Sequence, residues 1–300
     1  MAELSHKIKT AMDESRMLIL GASVFLGFQY RAPFEPGFDS LSAASQYLKV
    51  AALVLLLVSV ILIMSPGAYH RIVWEGNDSP DVEDFATTVM DFALLPFLLT
   101  LGIDFYAVVA KFLGATGGIL AGALTATTAL VFWYGPGIVL GRRKRSGRSI
   151  EVEQTPLKDR VEQVLTEARM VLPGVQALLG FQLATMLMEG FEKLPQSSRY
   201  IHLISLLLMG LCVILLMTPA AYHRMVERGE DTEGFHRLAS TLLLVAMIPL
   251  PFGICGDLFI VVRKVTDSVS ISIGIAVLIL LSFFGLWFGF PAYRRARLAQ

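Results

Sequence analysis

The feature that most restricts the fold of this chain is a repeated motif. The residues Pro-Gly-Ala-Tyr-His-Arg at 66–71 return as Pro-Ala-Ala-Tyr-His-Arg at 219–224, a shift of 153 positions. The same shift relates further matching stretches, namely 14–17 with 167–170 and 26–29 with 179–182. A constant shift over most of the chain indicates an internal duplication. The chain therefore has to build one structural unit twice.

The chain is also rich in apolar residues, which are grouped into long segments. Hydrophobic residues make up 55% and charged residues 17% of the sequence, and the mean hydropathy is +0.63, a composition typical of membrane proteins. A transmembrane helix needs about 20 apolar residues. The sequence therefore predicts an all-α integral membrane protein with eight transmembrane helices. The apolar segments of the first unit are 17–30, 47–65, 85–109 and 113–140, and the predicted domains are a four-helix unit at 1–145, a linker at 146–156 and a second four-helix unit at 157–300.

An even number of spans per unit fixes the expected relation between the units. Both units enter the membrane from the same side, so we expect two parallel repeats about a pseudo-twofold axis along the membrane normal. Lysines and arginines cluster before the first span, after the second and fourth spans, and at 294–297. By the positive-inside rule, both termini are predicted to be cytoplasmic in a multi-pass protein of a bacterial inner membrane. Residues 1–13 lack the pattern of a secretory signal, so the first span is expected to insert by itself.

A first polar cluster is predicted at the cytoplasmic mouth of each unit, where the second helix is expected to end at the motif proline. There the start of the first helix would meet the Tyr-His-Arg of its neighbour. Three interpretations stay open: a clasp that caps helix ends, a vestibule whose histidine changes charge near neutral pH, or recognition of lipid phosphates by arginine. The members are Glu14, Arg16, Tyr69, His70 and Arg71 in the first unit and Glu167, Arg169, Tyr222, His223 and Arg224 in the second.

A second polar group is predicted in the outer half of the membrane. It consists of Gln29 with Asp104, repeated as Gln182 with Asp257. A carboxylate within a membrane is costly and is by default a candidate functional group. The alternative is a structural aspartate at the outer interface, bonded to the glutamine or to Lys111.

Two further stretches indicate contacts with other helices or with lipids. Gly114, Gly118 and Gly122 form a stripe of small residues, which permits close helix packing either within the chain or in a homo-oligomer. The stretch from Arg142 to Arg148 holds five basic residues and is predicted to anchor the topology and to contact anionic membrane lipids. In a chain of this composition, we expect no binding of nucleic acid there.

Several chemical motifs are absent from the sequence. There is no HExxH, no phosphate-binding glycine loop, no GxSxG and no paired cysteines, so neither a metal, a cofactor nor an enzymatic activity is predicted. The cysteines Cys212 and Cys255 lie in apolar segments and are expected to be buried thiols.

The repeated motifs resemble those of a known family. Glu-x-Arg before the first span, Leu-Gly-Phe-Gln within it and Pro-x-Ala-Tyr-His-Arg after the second span are similar to an uncharacterised bacterial family of four-span membrane proteins, a domain of unknown function. Both halves carry the pattern, which implies a fused tandem form in which two units pair. The resemblance implies no activity.

The function predicted from these residues is a small ion or solute channel or transporter, or a regulator of one. Acidic and imidazole groups occur twice at helix ends, where they could line a shared mouth. The alternative is a non-catalytic membrane scaffold or partner-binding protein, in which the same groups only cap helices. An enzyme acting on lipid is a third hypothesis.

Overall fold

A computed structural model describes residues 2–139 and 155–299 of the protein. Helices and turns make up these ranges, and they contain no strand, so the predicted all-α class is confirmed. A 3₁₀ turn at Ala32–Phe34 follows the first helix. The helices are α1 (Ala2–Arg31), α2 (Ala43–Trp74), α3 (Pro80–Val139), α4 (Leu157–Thr185), α5 (Glu189–Glu192), α6 (Gln196–Met225), α7 (Glu233–Ala246), α8 (Pro249–Thr266), α9 (Val269–Phe284) and α10 (Phe290–Leu298).

Five helical stretches in the described ranges are long and apolar enough to cross a membrane. The eight predicted spans are not confirmed, because α1 and α4, the expected first and fifth spans, do not meet this criterion. In α1 the apolar part is confined to 17–30 and contains polar residues such as Ser23 and Gln29. The five stretches are Ala43–Trp74, Pro80–Gly135, Gln196–Met225, Glu233–Thr266 and Val269–Leu298.

Helix α3 is a hairpin of two antiparallel arms. The chain reverses at Gly114, whose φ of 74° and ψ of 178° are open to glycine and strained for other residues. Across the hairpin, Tyr134 Oη donates a hydrogen bond to Asp91 O at 2.6 Å. In the second repeat the equivalent residue, Asp267, also has a positive φ of 50° and separates α8 from α9. Both repeats therefore turn at the same position.

Helices α1 and α4 pack against each other at the centre of the molecule. The rings of Phe28 and Phe181, which occupy equivalent positions in the two repeats, have centroids 4.9 Å apart. A Cβ atom at Gly27 would lie 1.9 Å from Phe181 Cδ2, so only glycine permits this approach. Lys9 and Glu162, another equivalent pair, form an ion pair at the start of the two helices. The contacts between equivalent residues show that α1 and α4 meet in the same register.

The motif prolines lie inside helices. The second helix is predicted to end at Pro66, but α2 continues to Trp74, and α6 likewise continues past Pro219 to Met225. A proline removes one backbone N–H from the helix and leaves a carbonyl without its donor. Ser65 Oγ donates to Leu62 O at 2.8 Å and supplies that missing hydrogen bond. The Tyr-His-Arg of the motif is therefore on the last turns of a continuous helix.

The last helices of the second repeat lie against α2 of the first. Trp287 is fully buried there, and its Nε1 donates to Ile61 O at 2.9 Å. Trp287 belongs to a π-helical turn at Gly285–Gly289. Trp133 and Trp287 are one residue out of the 153-position shift, and a π turn is the usual way for a helix to accommodate an inserted residue. Beyond it, Arg294 Nε donates to Tyr69 Oη at 3.4 Å and Arg295 Nη1 donates to Ile72 O at 3.1 Å, so α10 covers the motif end of α2.

Candidate functional site

The motif of the first repeat is part of a buried ionic network, which we call the motif network. Glu167 of α4 contacts two motif residues of α2: its Oε1 lies 2.7 Å from His70 Nδ1, and its Oε2 accepts a hydrogen bond from Arg71 Nε at 2.5 Å. Arg71 Nη1 continues to His236 Nε2 at 3.0 Å and to Ser240 Oγ at 3.2 Å, both on α7. The network therefore joins one helix of the first repeat to two helices of the second.

The contacts of the motif network fix which ring nitrogens carry protons. A carboxylate can only accept, so His70 donates from Nδ1 to Glu167. The guanidinium of Arg71 can only donate, so His236 accepts at Nε2 and carries its proton on Nδ1. The side chains of His70, Arg71 and Glu167 are exposed by 0%, 1% and 2%. Removal of one partner from such a buried set leaves an uncompensated charge and typically costs about 3–5 kcal/mol.

The loop after α2 makes room for this arrangement. Gly76 has a φ of +81°, and a Cβ atom there would lie 2.6 Å from Arg71 Nη1 and 3.3 Å from His236 Nε2. Glycine is therefore required at this position both for backbone conformation and for the space that the guanidinium fills.

Among the described residues, the equivalent set of Glu14 with His223 and Arg224 does not form a second motif network. The sequence analysis predicts that Glu14 and Arg16 meet the motif of their own unit. Instead Glu14 is exposed, and Arg16 lies 3.8 Å from Asp13 on the same helix. Helix α1 turns Ser15 into the bundle at this level, with its Oγ 3.2 Å from Met90 Sδ. The predicted contact within each unit is wrong, because the carboxylate that reaches the first motif comes from the other repeat.

The remaining predicted members of this cluster fall into two groups. Tyr69 stacks on Phe85 at 4.2 Å between ring centroids and donates a hydrogen bond to Asp81. Tyr222 stacks more distantly on Phe235, at 6.4 Å. The second-repeat cations Arg169, His223 and Arg224 instead line a surface groove.

The second predicted polar group is brought together in both repeats. Gln29 Nε2 donates to Asp104 Oδ2 at 2.5 Å, and Gln182 Nε2 donates to Asp257 Oδ2 at 2.5 Å. In the first repeat, Lys49 of α2 pairs with the other oxygen of Asp104, so Lys111 is not its partner. Each aspartate is buried and has one amide donor and one basic neighbour, as a buried carboxylate requires.

The basic neighbour differs between the repeats. At the position equivalent to Lys49 the second repeat has His202, whose Nδ1 lies 2.9 Å from Asp257 Oδ1 and whose Nε2 lies 3.1 Å from Gln182 O. Both ring nitrogens thus face oxygen atoms, and a protonated ring can donate to both. The sequence analysis missed Lys49 and His202. The signal was the 153-position shift, which pairs a lysine with a histidine on the helix next to the aspartate.

Small cavities border both groups. One of about 30 Å³ is lined by His70 and Glu167 together with Lys9, Met12 and other residues, and another of about 10 Å³ is lined by Gln182, His202 and Asp257 among others. A space of this size holds about one or two water molecules. Glu167 and Gln182 are fifteen residues apart on α4, which corresponds to about 22 Å along the helix axis at 1.5 Å per residue.

The other predicted contacts have separate outcomes. Arg142 to Arg148 lie outside the described residues, as does most of the linker at 146–156. A Cβ atom at Gly122 would lie 2.6 Å from Gly102 O, so the glycine stripe packs against the other arm of α3. The homo-oligomer contact at that stripe stays a prediction.

Both cysteines, Cys212 and Cys255, are buried. In the described ranges, no group of three His, Cys, Asp or Glu side chains is arranged to hold a metal ion.

The fold and these networks define an all-helical protein of membrane type built from two homologous units. A family model described as "Family of unknown function (DUF6328)" matches residues 3–136 and, a second time, residues 151–291. The protein belongs to this family and carries its domain twice, so the predicted resemblance to a domain of unknown function is confirmed. No curated protein and no solved structure matches the chain.

Proposed function

We propose that the protein conducts protons, or a small ion or solute coupled to them, across the membrane, or regulates such a pathway. The observation that carries the proposal is a pair of buried histidine–carboxylate contacts, His70 with Glu167 and His202 with Asp257. Histidine is the side chain that changes charge near neutral pH. Ionisable groups buried in membrane bundles commonly belong to ion pathways and proton relays. No catalytic role is proposed for these residues.

The two repeats differ in a way that supports a proton-dependent role. Asp104 faces a lysine, Lys49, whereas Asp257 faces a histidine, His202, and imidazole is the side chain that ordinarily changes charge near neutral pH. Deprotonation of His202 at Nε2 would remove the positive charge beside Asp257 and the donor that faces Gln182 O, and would leave the aspartate with two neutral donors, His202 Nδ1 and the amide of Gln182. The second repeat therefore has an imidazole in the ion pair where the first repeat has a lysine, and this difference would make the second pair responsive to protons.

The test uses the lysine of the first repeat as a guide. His202→Lys places in the second repeat the side chain that fits the equivalent site of the first, so the ion pair should persist while its titration near neutral pH is lost. We expect wild-type protein in liposomes to pass protons faster than empty liposomes, with a rate that changes between pH 5.5 and 7.5. The His202→Lys variant should lose that pH dependence. A pH-sensitive dye trapped in the vesicles measures the flux.

Two outcomes would contradict this function. One is a flux no different from that of empty liposomes for protons and for several monovalent ions. The other is a His202→Lys variant with the full wild-type pH profile. The control for a general effect of changing a charge is Asp91→Asn. The position equivalent to Asp91 in the second repeat is Leu244, so this carboxylate has no acidic counterpart there.

A membrane scaffold is the second candidate function. It is favoured by the balanced charges of the motif network and by the small volume of the adjoining cavities, about 30 and 10 Å³. On this alternative, His70→Ala and His202→Ala lower thermal stability and there is no flux to alter. Unchanged melting temperatures of both variants would count against it.

We also propose the finer architecture that the repeat predicts, eight spans in two parallel units with both termini in the cytoplasm of a bacterial cell. It is supported by the contacts between equivalent residues, Lys9 with Glu162 and Phe28 with Phe181. Cysteine labelling in intact cells would test it: cysteines introduced at Asn77 and Glu230 should both be protected from an impermeant reagent. Labelling of either from outside would contradict the orientation.

A further inference from the structure

A groove lies open on the second repeat where the first repeat is covered. It has a volume of about 550 Å³ and runs between α4 and α6. Its wall is mostly apolar and includes Leu172, Ile214 and Met217. The latter two side chains are exposed by 64% and 48%. Towards the motif, the groove is lined by basic side chains, those of Arg169, His223 and Arg224.

The duplication shows what such a surface contacts when it is covered. The equivalent of Ile214 is Ile61, whose carbonyl accepts the hydrogen bond of Trp287. The equivalent of Met217 is Met64, which is exposed by only 4%. In the first repeat, helices from the other unit therefore fill this surface. In the second repeat the corresponding surface is free within the described residues.

The residues that flank the motif end differ in charge between the two surfaces. The helix that covers the first surface is basic and pairs with acidic residues: Arg294 with Asp81, and Arg295 with Glu75. The positions equivalent to these acids are Gly234 and Arg228. The second surface therefore lacks the acidic partners of a basic helix, and its lining residues Arg169, His223 and Arg224 favour an anionic occupant.

The basic groups of the groove are available to such an occupant. Within the described ranges, neither Arg169 nor Arg224 has an ion-pair partner, and both side chains are exposed. His223 packs on Phe235, with ring centroids 4.5 Å apart, and its Nε2 lies 3.6 Å from Asp231 Oδ1. Asp231 can hold the imidazole in place, while the two guanidinium groups form no ion pair with another described residue and can bind an anion.

We infer that this groove binds one anionic phospholipid. Its phosphate lies against Arg169, His223 and Arg224, and an acyl chain lies along the apolar wall. Guanidinium groups bind phosphate oxygens through strong charge-assisted hydrogen bonds, and basic residues at a membrane surface attract anionic lipids. The site is separate from both buried histidine–carboxylate pairs. The proposed lipid site can therefore be tested independently of the proposed proton pathway.

The experiment compares lipid retention by full-length protein in a neutral detergent. Phosphatidylglycerol and phosphatidylcholine with the same acyl chains are added in turn, and native mass spectrometry counts the lipids that stay bound. We expect one phosphatidylglycerol to be retained at concentrations where phosphatidylcholine is not. The double variant Arg169→Ala, Arg224→Ala should weaken this binding by at least about tenfold, as expected for the loss of two charge-assisted contacts. The duplication supplies a matched control, Arg16→Ala, which changes the residue equivalent to Arg169 and should leave binding unchanged.

The apolar half of the site has its own test. Met217→Trp should fill the groove and weaken phosphatidylglycerol binding, whereas Leu207→Trp, at an exposed position of α6 that does not line the groove, should not. Inorganic phosphate at the same concentration should fail to displace the lipid. Equal retention of the two lipids, full binding by the arginine double variant, or complete displacement by phosphate would each overturn the proposal. Melting curves of all variants establish that they are folded.

Discussion

The two copies of the Tyr-His-Arg motif have the same sequence and different surroundings. In the first repeat, His70 and Arg71 are buried against Glu167 of α4, Arg71 also contacts His236 of α7, and α10 contacts the neighbouring Tyr69. In the second, His223 is partly exposed, Arg224 is exposed, and both line an open groove. The same three residues thus build a closed contact between the units in one copy and an accessible basic surface in the other.

This difference teaches how a duplicated membrane domain can divide its tasks. In this chain the copy at 66–71 contributes to the contact between the units, and the copy at 219–224 lines an open groove. The pair Lys49 and His202 shows a second difference, since the first repeat places a lysine against its buried aspartate where the second repeat places a histidine.

The largest expected effect comes from removal of the carboxylate at the centre of the motif network. Glu167→Ala leaves Arg71 and His70 buried without their partner and should lower the free energy of unfolding by about 3–5 kcal/mol. Its equivalent, Glu14→Ala, changes an exposed side chain and should cost no more than about 0.5 kcal/mol. Denaturation in detergent micelles measures both. Equal effects would show that the two motif ends are not different.

A smaller effect is expected at the two loop glycines, which share the same backbone conformation. Gly76 and Gly229 have φ values of 81° and 87°, so alanine at either should cost about 1–2 kcal/mol for the left-handed backbone. Only at Gly76 would the new Cβ also meet Arg71 Nη1, at 2.6 Å. Gly76→Ala should therefore lower stability clearly more than Gly229→Ala in the same denaturation experiment. An equal loss would mean that Arg71 is not held against this loop.

The smallest effect is expected at Lys9 and Glu162, the exposed ion pair between equivalent positions. The hydrogen bond to Lys9 lowers the pKa of Glu162 from its ordinary value of 4.5, and the same contact raises the pKa of Lys9 from 10.5. The stabilisation is therefore present between these values, is lost as the pH falls through the lowered pKa of Glu162, and is lost as it rises through that of Lys9. Because both side chains are about half exposed, Lys9→Ala should cost less than about 1 kcal/mol at pH 7.

The pH dependence of the stability lost in Lys9→Ala distinguishes an ion pair from packing of the lysine side chain. As the pH falls through the lowered pKa of Glu162, the difference in stability between wild type and Lys9→Ala should shrink. A difference that stays constant from pH 7 to pH 3 would mean that the lysine stabilises the helix pair through its aliphatic stem.

Much of the fold could be predicted from the sequence because the duplication shows each apolar segment and each polar motif twice. The all-helical class followed from the apolar segments, and the pairs Gln29 with Asp104 and Gln182 with Asp257 were predicted from their depth in the helices. The partners contributed by other helices were missed. Sequence spacing gives the height of a residue in a bundle, but which neighbouring helix it faces is set by packing. Thus Glu167, predicted to serve its own unit, reaches His70 of the other one, and Lys49 and His202 went unnoticed.

The most direct test of the difference between the repeats compares two equivalent methionines. Met64→Cys and Met217→Cys are labelled in detergent micelles with a small membrane-permeant maleimide, on a background in which Cys212 and Cys255 are replaced by alanine. Met64 is exposed by 4% and Met217 by 48%. The covered and open surfaces described above predict rapid labelling of Met217→Cys and little or no labelling of Met64→Cys in the folded protein. Equal labelling rates at the two positions would contradict the claim that one motif end is closed and the other open.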